Sequence, residues 1–269
     1  MLGAIVHKIL NQGPGAHLLG VTSRGAFVCT ESDQVLFLSE ESYAGPLTLN
    51  LVQNPVVLSQ IKPGCLVSIQ KGCLFFHGTE VWLSTDQAME WNPPPSPVTP
   101  LSSSQRLPRL DWAIQQSNSQ YSDFTPAELG VLQLALQTKQ SVAILKSLQP
   151  ILGRGNGLTP AGDDLVIGLL LTFNRWRSWL YKDFPVEQIN RLITQAARVY
   201  TTALSASLIE CATQGQADER LINALDSLVT GAPDLEACIS RLLSWGSSSG
   251  EYVLRGMTLA LNLPSRTGG

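Results

Sequence analysis

The sequence predicts an α+β protein, with an N-terminal antiparallel β sandwich or barrel followed by a mainly α-helical domain. Three observations predict it. Up to residue 92, the 269-residue chain falls into short runs rich in β-branched and aromatic residues, separated by turn formers. Six of its sixteen prolines then crowd into the segment NPPPSPVTPLSSSQRLP, where missing amide donors and fixed φ angles oppose regular structure. Beyond that segment, apolar residues recur at helical spacing. The expected divisions are therefore a β-rich domain over 1–92, a Pro/Ser-rich linker or strap over 93–108, and a helical domain over 109–269.

In chain order, the expected strands are AIVHKIL, AHLLGVTS, GAFVCT, QVLFLS, CLVSIQ, CLFFH and EVWLS. Arg24-Gly25, Lys71-Gly72 and His77-Gly78 fall where hairpin turns belong, because glycine accepts the positive φ of tight turns. Helices are expected near 110–118, 126–138, 140–149, 160–181, 186–213, 217–230, 234–245 and 250–262. Thr125-Pro126-Ala127-Glu128 reads as a capping box with proline at the first helical position. The helix expected over 186–213 carries Ala196, Ala197, Ala203, Ser205, Ala206 and Ser207, small side chains that suit a central helix with close neighbours.

Composition removes several function classes. A net charge of −3 with scattered basic residues gives no footprint for nucleic acid. The N-terminus lacks the apolar core and cleavage site of a secretory signal, and no apolar stretch approaches the roughly 20 residues of a membrane span. A cytoplasmic protein without a membrane partner is expected. Five widely spaced cysteines read as ordinary thiols of a reducing compartment. All three histidines precede residue 78, so the helical part has no Ser-His-Asp or Cys-His arrangement and no histidine-rich zinc site. No metal ligand set and no cofactor is singled out.

The chemistry concentrates in Gly153-Arg154-Gly155-Asn156-Gly157-Leu158-Thr159-Pro160-Ala161-Gly162-Asp163-Asp164. Glycines ending at a helix N-terminus offer unpaired amides and a positive dipole end, which suit phosphate or carboxylate. Gly155 and Gly157 would approach such an anion, with Arg154 as a bidentate clamp. Thr159 is the expected N-cap. Gly162, where the first helix has its capping glutamate, marks a place where something approaches the backbone. Asp163 and Asp164 precede LVIGLLLTF, so at least one carboxylate lies at the edge of the core and needs a hydrogen bond, a metal or a shifted pKa. They are the catalytic candidates; the plainer alternative is that they only complement the helix dipole.

Gly250-Glu251-Tyr252-Val253-Leu254-Arg255-Gly256 repeats the pattern of Gly162 to Gly168, with Ser249 in the place of Ala161. Ser249 and Gly250 thus join the candidate pocket, although the same segment would also serve as a turn with a serine cap. Thr201 and Ser205, one helical turn apart in the expected long helix, would line it, although hydroxyls at such positions also bond back to their own helix.

These residues resemble the AllH-type subunits of bacterial oxamate carbamoyltransferase. The resemblance rests on Gly153 to Gly168, above all Gly157-Leu158-Thr159-Pro160-Ala161-Gly162-Asp163-Asp164. Arg198, Thr201, Ser205 and Leu208, then Ser249-Gly250 with Leu254 and Gly256, and Trp91 and Pro93 support it. One departure stands out: where the second motif of the family usually has an acid two residues after its glycine, this chain has Tyr252, with Glu251 beside it. The resemblance implies a subunit of a multi-subunit enzyme of purine-nitrogen catabolism, including allantoin breakdown. Such an enzyme exchanges a carbamoyl group between small anions, oxamate with carbamoyl phosphate or oxalurate with phosphate, and its other subunits are the implied partners. The alternative is a non-catalytic regulatory subunit that binds a small anion in the same pocket.

Overall fold

The computed structural model describes residues 1–12, 15–22, 24–51, 58, 60–97, 99–117 and 123–263. The chain divides into two compact units, 1–94 and 95–269.

The first unit is one curled, nine-stranded sheet, a half-barrel, rather than two packed sheets. Its strands are β1 (Leu2–Gly3), β2 (Gly15–Thr22), β3 (Gly25–Thr30), β4 (Val35–Ser39), β5 (Thr48–Asn50), β6 (Leu66–Gln70), β7 (Cys73–Phe76), β8 (Trp82–Ser84) and β9 (Glu90–Trp91). They lie in the order β8-β7-β6-β2-β3-β4-β5-β1-β9. Most pairs are antiparallel; β4–β5 and β1–β9 are parallel. Lys71 and Gly72, at φ 48 and 76, make the two-residue turn between β6 and β7, the geometry that matches strand twist. The expected first strand is instead a helix, α1 (Ala4–Gln12). Val6, Ile9 and Leu10 are buried together, and a spacing of three and four residues is that of one helical face.

The second unit is helical: α2 (Ser103–Gln116), α3 (Pro126–Thr138), α4 (Ser141–Leu148), α5 (Ala161–Arg175), α6 (Arg177–Leu180), α7 (Val186–Tyr200), α8 (Ala203–Thr213), α9 (Glu219–Thr230), α10 (Leu235–Leu243) and α11 (Ser249–Leu261). Among the described residues no helix is long and apolar enough to cross a membrane. The Thr125–Glu128 capping box starts α3 as expected. Two other boundaries differ from the sequence reading. The proline-rich strap ends early, because α2 starts at Ser103 and contains Pro108. The Gln105 side chain accepts the Ser102 amide at 3.1 Å, and burial of Arg106, Leu110 and Ala113 on one face outweighs the single hydrogen bond that a proline so near the start removes. The expected helix over 186–213 is also two helices. Thr201 is extended (φ −136, ψ −175), and Thr202 caps α8 by accepting the Ser205 amide at 3.1 Å.

The core is built on α5, whose residues from Ala161 to Phe173 are all buried. It crosses α11 at glycines used reciprocally. A Cβ on Gly168 would lie 2.0 Å from the Val253 carbonyl oxygen, and one on Gly256 would lie 2.0 Å from the Leu165 carbonyl oxygen. Each helix thus presents a glycine six residues after its first one, and that glycine receives the carbonyl three residues after the first glycine of the other helix. The repeat seen in the sequence is this local two-fold crossing. At the far end of α5, buried Arg175 forms a bidentate pair with Asp226 at 2.7 and 2.5 Å.

Gly168→Ala is expected to cost about 1–3 kcal/mol or to prevent folding, because a methyl group cannot be accommodated against main chain. Gly130→Ala, on exposed α3 with nothing within 4 Å of the new carbon, is expected to add about 0.5–1 kcal/mol. Urea denaturation of both variants checks the contrast.

Candidate functional site

The loop over 153–160 joins α4 to α5, and three alternate glycines shape it: Gly153, Gly155 and Gly157 have φ of 73, 117 and 102. Two of them are also pressed from outside. A Cβ on Gly153 would lie 2.1 Å from the Tyr200 carbonyl oxygen, and one on Gly155 would lie 2.6 Å from the Ala161 nitrogen, while Gly157 faces open space. Residues 154–158 are exposed. Among the described residues, the amides of Gly155, Asn156, Gly157, Leu158 and Thr159 have no protein acceptor. They belong to the chain that leads into the positive end of α5.

Pro160, rather than Thr159, is the N-cap of α5, and this frees the threonine hydroxyl to turn inward. What approaches Gly162 is the chain itself. The Ile151 carbonyl oxygen would lie 1.8 Å from an added Cβ, and the Gly162 amide donates to the Arg154 carbonyl at 2.9 Å. Gly250 repeats this, with the Leu242 carbonyl at 1.9 Å from an added Cβ and its own amide donating to Trp245 at 3.0 Å. Both glycines therefore act through backbone packing.

Asp163 is fully buried. Its carboxylate accepts the Gly153 amide at 2.8 Å and the Thr201 hydroxyl, so it ties the glycine loop to the break between α7 and α8. The Thr202 hydroxyl adds a second tie by donating to the Leu158 carbonyl at 3.1 Å. The break, not a shared helical face, is what aims Thr201 at the carboxylate. Burial pushes the Asp163 pKa up, opposed by the Thr201 hydroxyl, the Gly153 amide and the nearby Ser205 hydroxyl. The Ser205 Oγ is itself buried without a hydrogen bond of good geometry.

Asp164, 1% exposed, is less well provided for. One oxygen accepts the Thr159 hydroxyl at 3.4 Å, and Thr159 lies 3.2 Å from the Ser249 hydroxyl at the start of α11. The other oxygen, Oδ1, is buried without a hydrogen-bond partner. Burial raises the Asp164 pKa to about 8; the Asp163 charge adds to the rise, and the Ser249 and Thr159 hydroxyls oppose it. At neutral pH Asp164 is largely protonated. Among the described residues no cluster of three or more His, Cys, Asp or Glu side chains is placed to hold a metal ion.

Thr159, Asp163, Asp164, Thr201, Ser205 and Ser249 thus come together at the start of α5. Arg154 is engaged elsewhere: it pairs with Glu128 and lies 5.1 Å from the centre of the Phe124 ring. The pairing with Arg154, together with the capping bonds from Thr125, holds the Glu128 carboxyl down at about 2. Tyr252, at the position of α11 that matches Asp164 in α5, donates its hydroxyl to the Asp123 carboxylate and accepts the Asp123 amide at 3.2 Å. Phe124 packs edge-on against its ring. Sequence reasoning missed Asp123 and Phe124. The only signal was the capping box at Thr125, which fixes where α3 begins but not what the preceding residues touch.

Two helices crossing at paired glycines, with adjacent acids buried at the start of one and hydroxyls at the start of the other, define a helical module organised around carboxylates at helix N-termini. Residues 151–261 match the family model of the oxamate carbamoyltransferase subunit AllH, a span that takes in the loop, both crossing helices and everything between them. No solved structure matches the chain.

The Asp164 pKa sets a pH dependence. Below about pH 4 the group is protonated in both folded and unfolded chains and contributes nothing. Between pH 4 and about 8 the unfolded chain ionises first, so stability falls with rising pH, and it levels off above the folded-state value. Asp164→Asn is expected to flatten this slope and to exceed wild type in stability at pH 8, by at most about 5 kcal/mol. Denaturant titrations at pH 5 and pH 8 test it, and equal slopes in the two proteins would contradict it.

Proposed function

We propose that the chain is a subunit of a carbamoyltransferase-type enzyme acting on small anions, either oxamate with carbamoyl phosphate or, in reverse, oxalurate with phosphate. The observation that carries this is the pair of buried aspartates at the start of α5, one of them under-partnered and shifted toward neutrality, inside the segment that matches the AllH family. In this reading the amides of Gly155 to Thr159 hold a phosphate or carboxylate oxygen at the positive end of α5, with Thr159, Ser205 and Ser249 lining the adjoining wall. Arg154 must exchange Glu128 for the anion if it is to contribute.

The chemistry is a nucleophilic transfer. The amide nitrogen of oxamate attacks the carbamoyl carbon, the bond from that carbon to the phosphate oxygen breaks, and the nitrogen gives up a proton. A carboxyl titrating near pH 8 accepts that proton in its ionised form and, in reverse, returns it to the departing oxamate nitrogen as phosphate attacks the carbamoyl carbon. Asp163 holds loop and break in register around it. The other enzyme subunits would complete the pocket, in a cytoplasmic setting. A second reading, a regulatory subunit that only binds the anion, draws on the fact that the Asp163 carboxylate is satisfied by the chain's own groups.

The test is carbamoyl phosphate formation from oxalurate and phosphate, with the purified chain alone, with its partner subunits, and with the partners alone. Asp164→Asn in the assembled enzyme is expected to lower kcat by about a hundredfold or more with unchanged circular dichroism. Phosphate or oxamate at millimolar concentration should raise the Tm of the wild-type chain. Full activity of the partners alone would select the regulatory reading, and wild-type turnover in Asp164→Asn would sink the catalytic one.

A further inference from the structure

The second unit contains a cavity of about 120 Å³ that none of this chemistry uses. It lies past the C-terminal end of α5, among the end of α3, the segment after α6 and the end of α11. Fifteen residues of helix at 1.5 Å each put it on the order of 20 Å from Asp163. Leu136, Trp179, Phe184 and Leu261 supply apolar wall, and Arg106, Lys139 and Lys182 bring three positive charges against the one carboxylate of Asp183.

Arg106 is the informative residue. It is 4% exposed, and its guanidinium reaches the Leu101 carbonyl at 3.1 Å and, more weakly, the Ser103 hydroxyl at 3.4 Å. Its Nε–H is buried without an acceptor, and among the described residues no carboxylate pairs with it. The buried Arg175 side chain shows the usual solution, a bidentate carboxylate. A buried guanidinium is costly unless an anion answers it, and burial does depress the Arg106 pKa. The planar fork of Arg suits a carboxylate, and the aromatic and aliphatic walls suit an apolar body beside it.

We propose that this cavity is a second ligand site, which takes a small organic monocarboxylate with an apolar or aromatic group. The carboxylate sits on Arg106 under the charge of Lys139 and Lys182, and the apolar group lies against Trp179 and Phe184. The site is separate from the glycine loop and stands whether or not the loop performs carbamoyl transfer.

Benzoate is the probe, titrated calorimetrically into the full chain. Wild type is expected to bind it. Arg106→Gln should weaken binding by at least about tenfold, and Lys182→Glu by roughly three- to tenfold through charge alone, while Asp164→Asn leaves the Kd unchanged. Because Arg106 also supports the Leu101 turn, its variant is first checked for folding by circular dichroism. If it does not fold, the exposed Lys182 variant decides. No heat at about 10 mM benzoate, a wild-type Kd in Lys182→Glu, or loss of binding in Asp164→Asn alone would overturn the proposal.

Discussion

The helical unit depends on main chain touching main chain where α5 crosses α11. Reciprocal glycines at 168 and 256 admit the carbonyls of Val253 and Leu165, so neither helix can rotate or slide without a collision between backbone atoms. The crossing lies within two turns of both helix starts. That proximity brings Thr159 and Ser249 to 3.2 Å from one another and sets two positive helix ends beside the same carboxyl. Those ends favour the charged form by about 0.3–1 kcal/mol each. Burial, with a smaller contribution from the Asp163 charge, raises the Asp164 pKa from 3.8 to about 8, equivalent to roughly 6 kcal/mol. Desolvation therefore wins, and the proton stays on Asp164 near neutrality.

Adjacent aspartates come to have different properties because their neighbours differ. Asp163 receives an amide from one side and a hydroxyl from the other, and so fastens a loop to a helix break. Asp164 receives a long hydroxyl bond on one oxygen and no hydrogen bond of good geometry on the other, with the Ser249 hydroxyl nearby. A side chain that binds its surroundings fully is a poor place to exchange protons, and one left partly unsatisfied is a good one. The two carboxylates are thereby held very differently, with only one peptide bond between them.

The sequence made the fold class and most helices legible, since the apolar spacing of α3, α4 and α9 and the Thr125 capping box are local signals. It also showed the repeat around Gly162 and Gly250. What it could not show was who approaches those glycines, because a missing Cβ looks the same whether a ligand or the Ile151 carbonyl takes the space. AIVHKIL is short enough to suit either period, and only its packing makes it the helix α1. The Thr201–Thr202 break was hidden because small residues continue through it, and the expected helical face between Thr201 and Ser205 does not exist. Both residues nonetheless reach the Asp163 neighbourhood, by way of an extended residue and a cap. Residue type alone suits Arg154 to an anion, and its pairing with Glu128, in the first turn of another helix, is a long-range contact that no local signal carries.

The two arms of the crossing share one backbone arrangement but belong to a single polypeptide, and this bears on how the module evolves. In a symmetric dimer of identical chains every substitution at the axis is made twice, and both copies must tolerate it. Here Asp164 and Tyr252 occupy matching positions, and each drifts under its own selection. One arm carries a buried acid at this position, while the other carries a buried tyrosine whose hydroxyl holds Asp123. The glycines, which answer to backbone contact rather than to chemistry, stay under joint constraint. A lineage of such chains is therefore expected to vary first in the residues one and two places after the second glycine, and last in the glycines themselves.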